Sequence, residues 1–140
     1  MATATATAAF AQLNKTGLAV NTLACVIGTA DAPTNTALLF KAGAFNGAIV
    51  TRIVSIPRGS ITATAMYLFL SKDGDVTKRL IDSELIGAYT LAATTAIPET
   101  QFTNYSETAP LHLDAGDELY IGASVALAAG IVTRLEAIDC

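Results

Sequence analysis

Short runs of β-favouring residues, separated by turn-forming residues about every 8–12 positions, are the feature that most constrains the fold of this chain. This spacing is typical of sandwiches and barrels, whereas no run shows a sustained helical period. We therefore predict an all-β fold, an antiparallel β-sandwich. Strands are expected at Leu18–Ile27, Thr36–Lys41, Ala48–Ile56, Ile61–Leu70, Val76–Asp82, Leu111–Leu113, Glu118–Val125 and Ile131–Ile138.

The connections between these strands have recognisable turn chemistry. Asn46-Gly47 and Asp73-Gly74 tolerate the positive φ angles of tight turns. Ile56-Pro57-Arg58-Gly59 has the proline and glycine positions of a type I turn. Residues 83–97 are ambiguous, because Asp82 or Ser83 can cap a short helix while Tyr89-Thr90 and Thr94-Thr95 favour extended chain. We predict a strand followed by a loop there.

The composition divides the chain into two parts. Residues 1–12 are uncharged and alternate Ala with Thr over much of their length, so they have little to bury. They are expected to form an N-terminal arm, either a flexible tail or an extended segment laid on another subunit. Residues 13–140 contain no linker or repeat and are predicted to form a single β-sandwich domain.

Several predicted strands are apolar on both faces, and such strands must be covered on both sides. In Glu118–Val125, by contrast, Leu119 and Ile121 define a buried face while Glu118 and Tyr120 define a wetter one. A neighbouring chain is the favoured second cover for the doubly apolar strands, and a loop such as Ser83–Pro110 is the alternative. The candidate interface residues are Leu38, Phe40, Val50, Val54, Ile56, Met66, Leu68, Leu70 and, in the arm, Phe10.

The charged residues are too few to coat a monomer of this size generously. The chain has 8 Lys and Arg and 12 Asp and Glu, with 52% hydrophobic residues, for a monomer surface of roughly 6,800 Å². This shortage favours a subunit that buries surface against copies of itself or a larger assembly. The alternative is an Ala- and Thr-rich monomer, since more than half of any protein surface is apolar.

Charge and hydropathy also exclude some partners. A net charge of −4 and a pI near 4.7 argue against direct nucleic-acid binding, which needs a basic surface. No run approaches the ~20 apolar residues of a membrane span, so no membrane partner is expected. The N-terminus lacks a signal-peptide pattern, and we expect the chain to stay in the cytoplasm where it is made.

Groups that could perform catalysis are sparse, and the chain is predicted not to be an enzyme. The single histidine, His112, lies between Leu111 and Leu113 and is expected to point outward. Cys25 is interpreted as a small core residue within a strand, and Cys140 as an exposed thiol. No spacing suggests zinc, a nucleophile elbow or a cofactor, so no cofactor or metal is expected.

Two acidic segments contain carboxylates of the kind that bind cations. Asp73-Gly74-Asp75 departs from the EF-hand pattern in its glycine position and its later ligands. Asp114-Ala115-Gly116-Asp117-Glu118 has the composition of a turn between two strands. Both are predicted to be turns rather than metal sites.

Two segments carry a resemblance to a known class of proteins. Tyr67–Asp82 (YLFLSKDGDVTKRLID) and Pro110–Ser124 (PLHLDAGDELYIGAS) resemble small virion proteins of tailed bacteriophages. The second segment is similar to the strand-turn-strand phrase of jelly-roll modules in phage head-decoration and tail proteins. It also resembles complement- and tumour-necrosis-factor-like jelly rolls, which are trimers.

The resemblance implies a jelly-roll-like sandwich that acts as a symmetric oligomer on a viral particle. The function expected from it is that of a head decoration (cement) protein, with a homotrimer and the major capsid protein or another virion protein as partners. The virion, assembled in the host cytoplasm, is then its location. One alternative is a tail, collar or adhesion module, for which Tyr89, Tyr105 and Tyr120 are the candidate sugar-stacking residues. A second alternative is a small jelly-roll enzyme or ligand-binding domain.

Overall fold

A computed structural model describes residues 13–140. Over this range the chain forms nine β-strands and no helix. The predicted N-terminal arm, with Phe10, lies outside the described residues. The strands are β1 (Leu13–Asn21), β2 (Ala37–Lys41), β3 (Ala48–Pro57), β4 (Thr64–Ser71), β5 (Arg79–Ile86), β6 (Thr100–Gln101), β7 (Leu111–Leu113), β8 (Glu118–Ala123) and β9 (Ile131–Asp139).

The strands form two antiparallel sheets that pack face to face, which confirms the predicted β-sandwich. Sheet A has the order β1-β9-β3, and β6 and β7 both pair with the free edge of β3. Sheet B has the order β2-β8-β4-β5. The β4–β5 hairpin, in sheet B, lies at the middle of the chain. The strands on either side of it pair in turn: β3 with β6 and β7 in sheet A, β2 with β8 in sheet B, and β1 with β9 in sheet A. Successive pairs therefore alternate between the two sheets.

The core lies between the sheets and consists mainly of aliphatic side chains. Ile53 and Leu135 from sheet A and Leu68 and Ile121 from sheet B are fully buried there. Phe102 enters this core from the segment after β6, and its N–H donates to the carbonyl of Ile53 at 2.9 Å. The stretch between β5 and β7 thus fills a gap between the sheets.

The strand predictions hold for most elements and fail at the first strand. The strand-plus-loop prediction for residues 83–97 is confirmed, because β5 continues to Ile86 and a loop follows. The first strand begins at Leu13 and ends at Asn21, so Cys25 does not lie within a strand as predicted. The two-residue strand β6 was not predicted, since two residues carry no periodicity.

A bulge in β3 changes which of its side chains share a face. The register between β3 and β9 shifts between Val50 and Arg52. As a result Val50 and Ile53 both face the core, whereas the sequence alternation places them on opposite faces. Val54 and Ile56, which pair with Arg134 and Val132, lie on the outer face of sheet A. An extra residue exchanges the two faces of the strand for all side chains beyond it. The prediction from strict alternation was therefore wrong for this strand.

The outer face of sheet B is covered over β8 and β4 by the chain itself. Residues 22–36 cross this face, and the Cys25 N–H donates to the carbonyl of Ala123 at 2.7 Å. Cys25 packs with the buried rings of Phe69 and Tyr120 in a second small core. All six residues of β8 are buried, so the predicted wetter side of this strand is wrong. A loop supplies the second cover here, although not the loop that the sequence analysis named.

Candidate interaction surface

A group of apolar side chains remains uncovered on the outer face of sheet A. Val20, Val132 and Ile56 are directly paired across β1, β9 and β3 and form an apolar row. Leu18 and Val54 flank Arg134 in the row beside it. Leu18 is 64% exposed and Val20 45% exposed, while Val54 is buried. We call the four of these that are at least partly exposed the apolar face: Leu18, Val20, Ile56 and Val132.

Paired charges border the apolar face. Arg134 Nη1 lies 3.2 Å from Glu136 Oε2 on the same strand. Arg52, further along the sheet, lies 3.9 Å from Glu99. These half-exposed pairs contribute little to stability. Because each cation already has an anion, a partner that covers this face need not leave a charge unpaired.

The apolar face continues to the open edge of sheet A. Within residues 13–140 β1 pairs on one side with β9, and no strand pairs with its other side. The only charged residues from Leu13 to Phe40 are Lys15 and Asp31. On β1 itself the exposed large apolar side chains are Leu13, Leu18 and Val20. An exposed apolar edge strand is a surface that other chains can pair with.

The structure separates the candidate interface residues into three groups. Phe40, Val50, Met66 and Leu68 are buried in the core, and the half-buried Leu70 packs against it. The opposite sheet of the same chain already covers the four buried side chains, which leaves them almost no free surface for a partner. Ile56 belongs to the apolar face and Leu38 is exposed on β2, whereas Val54 is buried on the outer side of sheet A. Leu18 and Val20, which complete that face, were missed because their exposure depends on β1 being an edge strand.

Polar contacts join the turns at the end of the sandwich that contains the β4–β5 hairpin. Lys72 Nζ lies 2.8 Å from Asp114 Oδ2 and 2.8 Å from Asp117 Oδ2. Asp73 Oδ1 accepts the Thr77 N–H at 2.8 Å, a bond that holds the pKa of Asp73 below its usual value. Hydrogen bonding to Lys72 lowers the pKa of Asp114.

Both acidic segments are turns, as predicted. The Asp117 N–H donates to the Asp114 carbonyl at 3.1 Å, which closes the second turn. Across residues 13–140, no group of three or more His, Cys, Asp or Glu side chains is placed to hold a metal ion.

A second polar group closes the cover over sheet B. Lys78 Nζ lies 2.6 Å from Asp75 Oδ1 and 4.4 Å from the centre of the Tyr120 ring. It also donates to Thr36 Oγ1 at 3.1 Å, so it ties residues 22–36 to the hairpin. The Tyr120 hydroxyl donates to Glu118 Oε1 at 3.0 Å. Burial and this carboxylate raise the pKa of Tyr120 well above its ordinary value.

The remaining reactive side chains are dispersed. His112 is exposed on β7, as its position between two leucines predicted. Cys25 is buried, and desolvation raises the pKa of its thiol. Cys140 is exposed. Tyr120 is buried, while Tyr89 and Tyr105 pack against the core, so these three rings do not form an open stacking surface for a sugar.

Comparisons with known proteins give no assignment. No family model, no curated protein and no solved structure matches the chain. In the part of the chain that the structure describes, no helix could cross a membrane. The apolar face and the open edge of β1 are the features from which a function can be argued.

Proposed function

We propose that this chain is a structural protein of a tailed-phage virion, of the head decoration (cement) type. In this role it stabilises the capsid through contacts between subunits rather than through chemistry. The observation that supports the proposal is the apolar face, which lies beside an edge strand that no other strand of residues 13–140 pairs with. Contiguous exposed apolar surface of this kind marks sites of association in soluble proteins.

We further infer that the sandwich is a jelly roll. A jelly roll is a double sheet built from two Greek keys. The pairing of β1 with β9, β2 with β8, β3 with β7 and β4 with β5, alternating between sheets, supports this assignment. The topology agrees with the resemblance to phage decoration modules, which rests on Tyr67–Asp82 and Pro110–Ser124.

The mechanism is burial of apolar area at many equivalent contacts. Removing apolar surface from water contributes roughly 25 cal/mol per Å². A contact of standard size buries about 800 Å² on each partner. Each copy gains only the part of this free energy that exceeds the translational and rotational entropy lost on binding. A capsid carries many equivalent sites, so the total stabilisation is the sum over all of them. The partners proposed are further copies of this chain, as a trimer, and the major capsid protein or another virion protein.

Labelling of intact virions tests the location. An antibody against the purified chain, applied to virions of the phage whose genome encodes it, is expected to label the heads. Label on the tail or collar would favour the alternative of a tail, collar or adhesion module. Virions that contain none of the chain would contradict a structural role in the particle.

Variants of the apolar face test the surface. Leu18→Ser combined with Val20→Ser is expected to lower the amount of chain that cosediments with virions at least tenfold. Leu85→Ser is the matched control, because Leu85 is equally apolar and well exposed on β5, far from this face. A double variant that cosediments as well as the control would show that this face is not the contact.

A chain lacking residues 1–11 is expected to attach more weakly while remaining folded.

A further inference from the structure

The open edge of β1 has room for one further strand. β1 pairs with β9 along its whole length, from Leu13 opposite Asp139 to Asn21 opposite Ile131. Within residues 13–140 no other strand pairs with β1, and no loop of this range forms a backbone hydrogen bond with residues 13–20. The backbone groups of β1 that point away from β9 therefore have no partner in the described part of the chain.

This edge lacks the features by which edge strands usually avoid pairing. Such strands are protected by charged side chains, prolines or bulges. β1 contains no proline, its register with β9 has no shift, and Lys15 is its only charged residue. Leu18 and Val20 are well exposed beside the edge. An uncharged strand with one apolar face could lie here without leaving a charge buried.

Residues 2–10 (ATATATAAF) have the length and pattern of such a strand. They number nine, as do the residues of β1, and none of them is charged. In extended chain alternate side chains share a face. The even positions are alanines followed by Phe10, whereas positions 3, 5 and 7 are threonines. The segment would therefore present an apolar face, which can continue the apolar face of sheet A, and a face of hydroxyl groups.

The short link to β1 favours pairing with a second copy over pairing within the same chain. Only Ala11 and Gln12 separate Phe10 from Leu13. A two-residue hairpin loop needs positive φ angles, which Gly and Asn adopt readily and Ala and Gln do not. Without such a reversal the chain continues past the end of its own β1. Nine extended residues reach roughly 30 Å, enough to lie along the β1 edge of a neighbouring subunit.

We propose that residues 2–10 of one copy pair, as an added strand, with the open β1 edge of a second copy. The inference rests on the proposed function and deepens it, because it names the contact through which copies associate. In strand addition the main-chain hydrogen bonds supply affinity, and the side chains supply specificity. Each chain has one donor segment and one acceptor edge, so the contact is heterologous and can close a ring. A ring of three copies pairs every β1 edge and agrees with the proposed trimer.

Two variants that each disable one side of the contact provide the test. Ala4→Pro combined with Thr5→Pro removes two adjacent N–H groups. Adjacent N–H groups point to opposite sides of a strand, so one of the two lost donors faces the partner in either register. Leu18→Lys combined with Val20→Lys places on the acceptor edge the charges that discourage pairing, at positions exposed enough to tolerate them.

Each variant alone is expected to sediment as a monomer of 14.4 kDa. An equimolar mixture is expected to form a one-to-one dimer of about 29 kDa, twice the chain mass. The intact segment of the lysine variant can pair with the intact edge of the proline variant, and no further contact remains. The dimer also shows that both variants are folded.

Two controls are matched to these variants. Ala4→Val combined with Thr5→Val keeps both N–H groups, and Leu85→Lys adds a charge to an exposed position of β5, in the other sheet. Both are expected to keep the wild-type mass. Amide exchange followed by mass spectrometry is expected to show residues 2–10 protected in the wild-type oligomer and unprotected in the proline variant.

Four results would each overturn the proposal: a monomeric wild type, a proline variant that keeps the wild-type mass, a mixture without dimer, or a wild type in which residues 2–10 exchange as fast as in the proline variant. Failure here is distinguishable from failure of the proposed function. Antibody labelling of virion heads, together with freely exchanging residues 2–10 in the purified chain, would support the virion role and contradict this contact.

Discussion

Gly17 shows how one residue controls the approach of the two sheets. It lies in the middle of β1, where a Cβ atom would collide with the backbone carbonyl oxygen of Leu39 on β2. A side chain at this position must push two backbone segments apart, which neither segment can relieve by rotating a side chain. The contact between the first strands of the two sheets therefore requires glycine here.

The Gly17→Ala substitution is expected to destabilise the domain by about 1–3 kcal/mol, the usual cost of overpacking. Gly87→Ala is the matched control, because no atom lies within 4 Å of a Cβ at that position and its φ is not positive. The control is expected to be neutral or slightly stabilising. Urea unfolding followed by circular dichroism gives both values. Equal stability of the two variants would show that β1 and β2 are not in close contact at Gly17.

Residue-level prediction from the sequence succeeded where alternation was unbroken and failed at irregular positions. The exposure of His112 follows from the leucines on either side of it. The faces of Val50 and Val54 could not be predicted, because the extra residue near Thr51 leaves no mark in the composition. A bulge is a feature of how two strands pair, and its partner β9 lies about 80 residues further along the chain.

At the scale of single elements, the β4–β5 hairpin depends on ionised aspartates. The pKa of Asp73 is lowered mainly by the Thr77 N–H, and the pKa of Asp75 mainly by its hydrogen bond with Lys78. A carboxyl group whose pKa is lower in the folded state stabilises that state fully at pH values above its pKa in the unfolded chain, which is ordinarily about 3.9. The stabilisation is lost as the pH falls through the lowered folded values.

We therefore expect the hairpin to loosen as the pH falls below about 4. Amide exchange at Thr77, measured by NMR relative to amides of β8, is expected to accelerate over this range. In Asp73→Asn the side-chain oxygen can still accept the Thr77 N–H but no longer titrates, so the acceleration at Thr77 should diminish. An unchanged pH profile in this variant would contradict the role assigned to Asp73.

The covering of sheet B is the element that sequence reasoning assigned least well. The doubly apolar character of β4 correctly indicated a cover on both faces. The cover is residues 22–36, which the sequence analysis had in part assigned to a strand ending at Ile27. Cys25 and Ile27 in this segment pack with Phe69 and Tyr120, so the hydropathy of its first residues resembled that of a strand. Hydrophobic periodicity and β-propensity do not distinguish a strand from an extended segment that lies across a sheet.

At the scale of the whole molecule, the all-β sandwich was predictable and the location of its free apolar surface was not. Turn chemistry and strand spacing are local properties, and they indicated most of the strands. Whether a given apolar face is covered depends on the path of connecting segments, which pair residues far apart in sequence. Much of the apolar surface assigned to neighbours is covered within the chain. Among the large apolar side chains that remain exposed are those of the apolar face and of β1, together with scattered ones such as Phe45 and Leu85.

The mass of the purified chain in solution tests the central claim most directly. The account holds that this remaining apolar surface is buried against other subunits. Sedimentation equilibrium at micromolar concentration is therefore expected to give an oligomer, with a trimer of about 43 kDa, three times the chain mass of 14.4 kDa. A single species of 14.4 kDa that stays monodisperse as the concentration rises would contradict it.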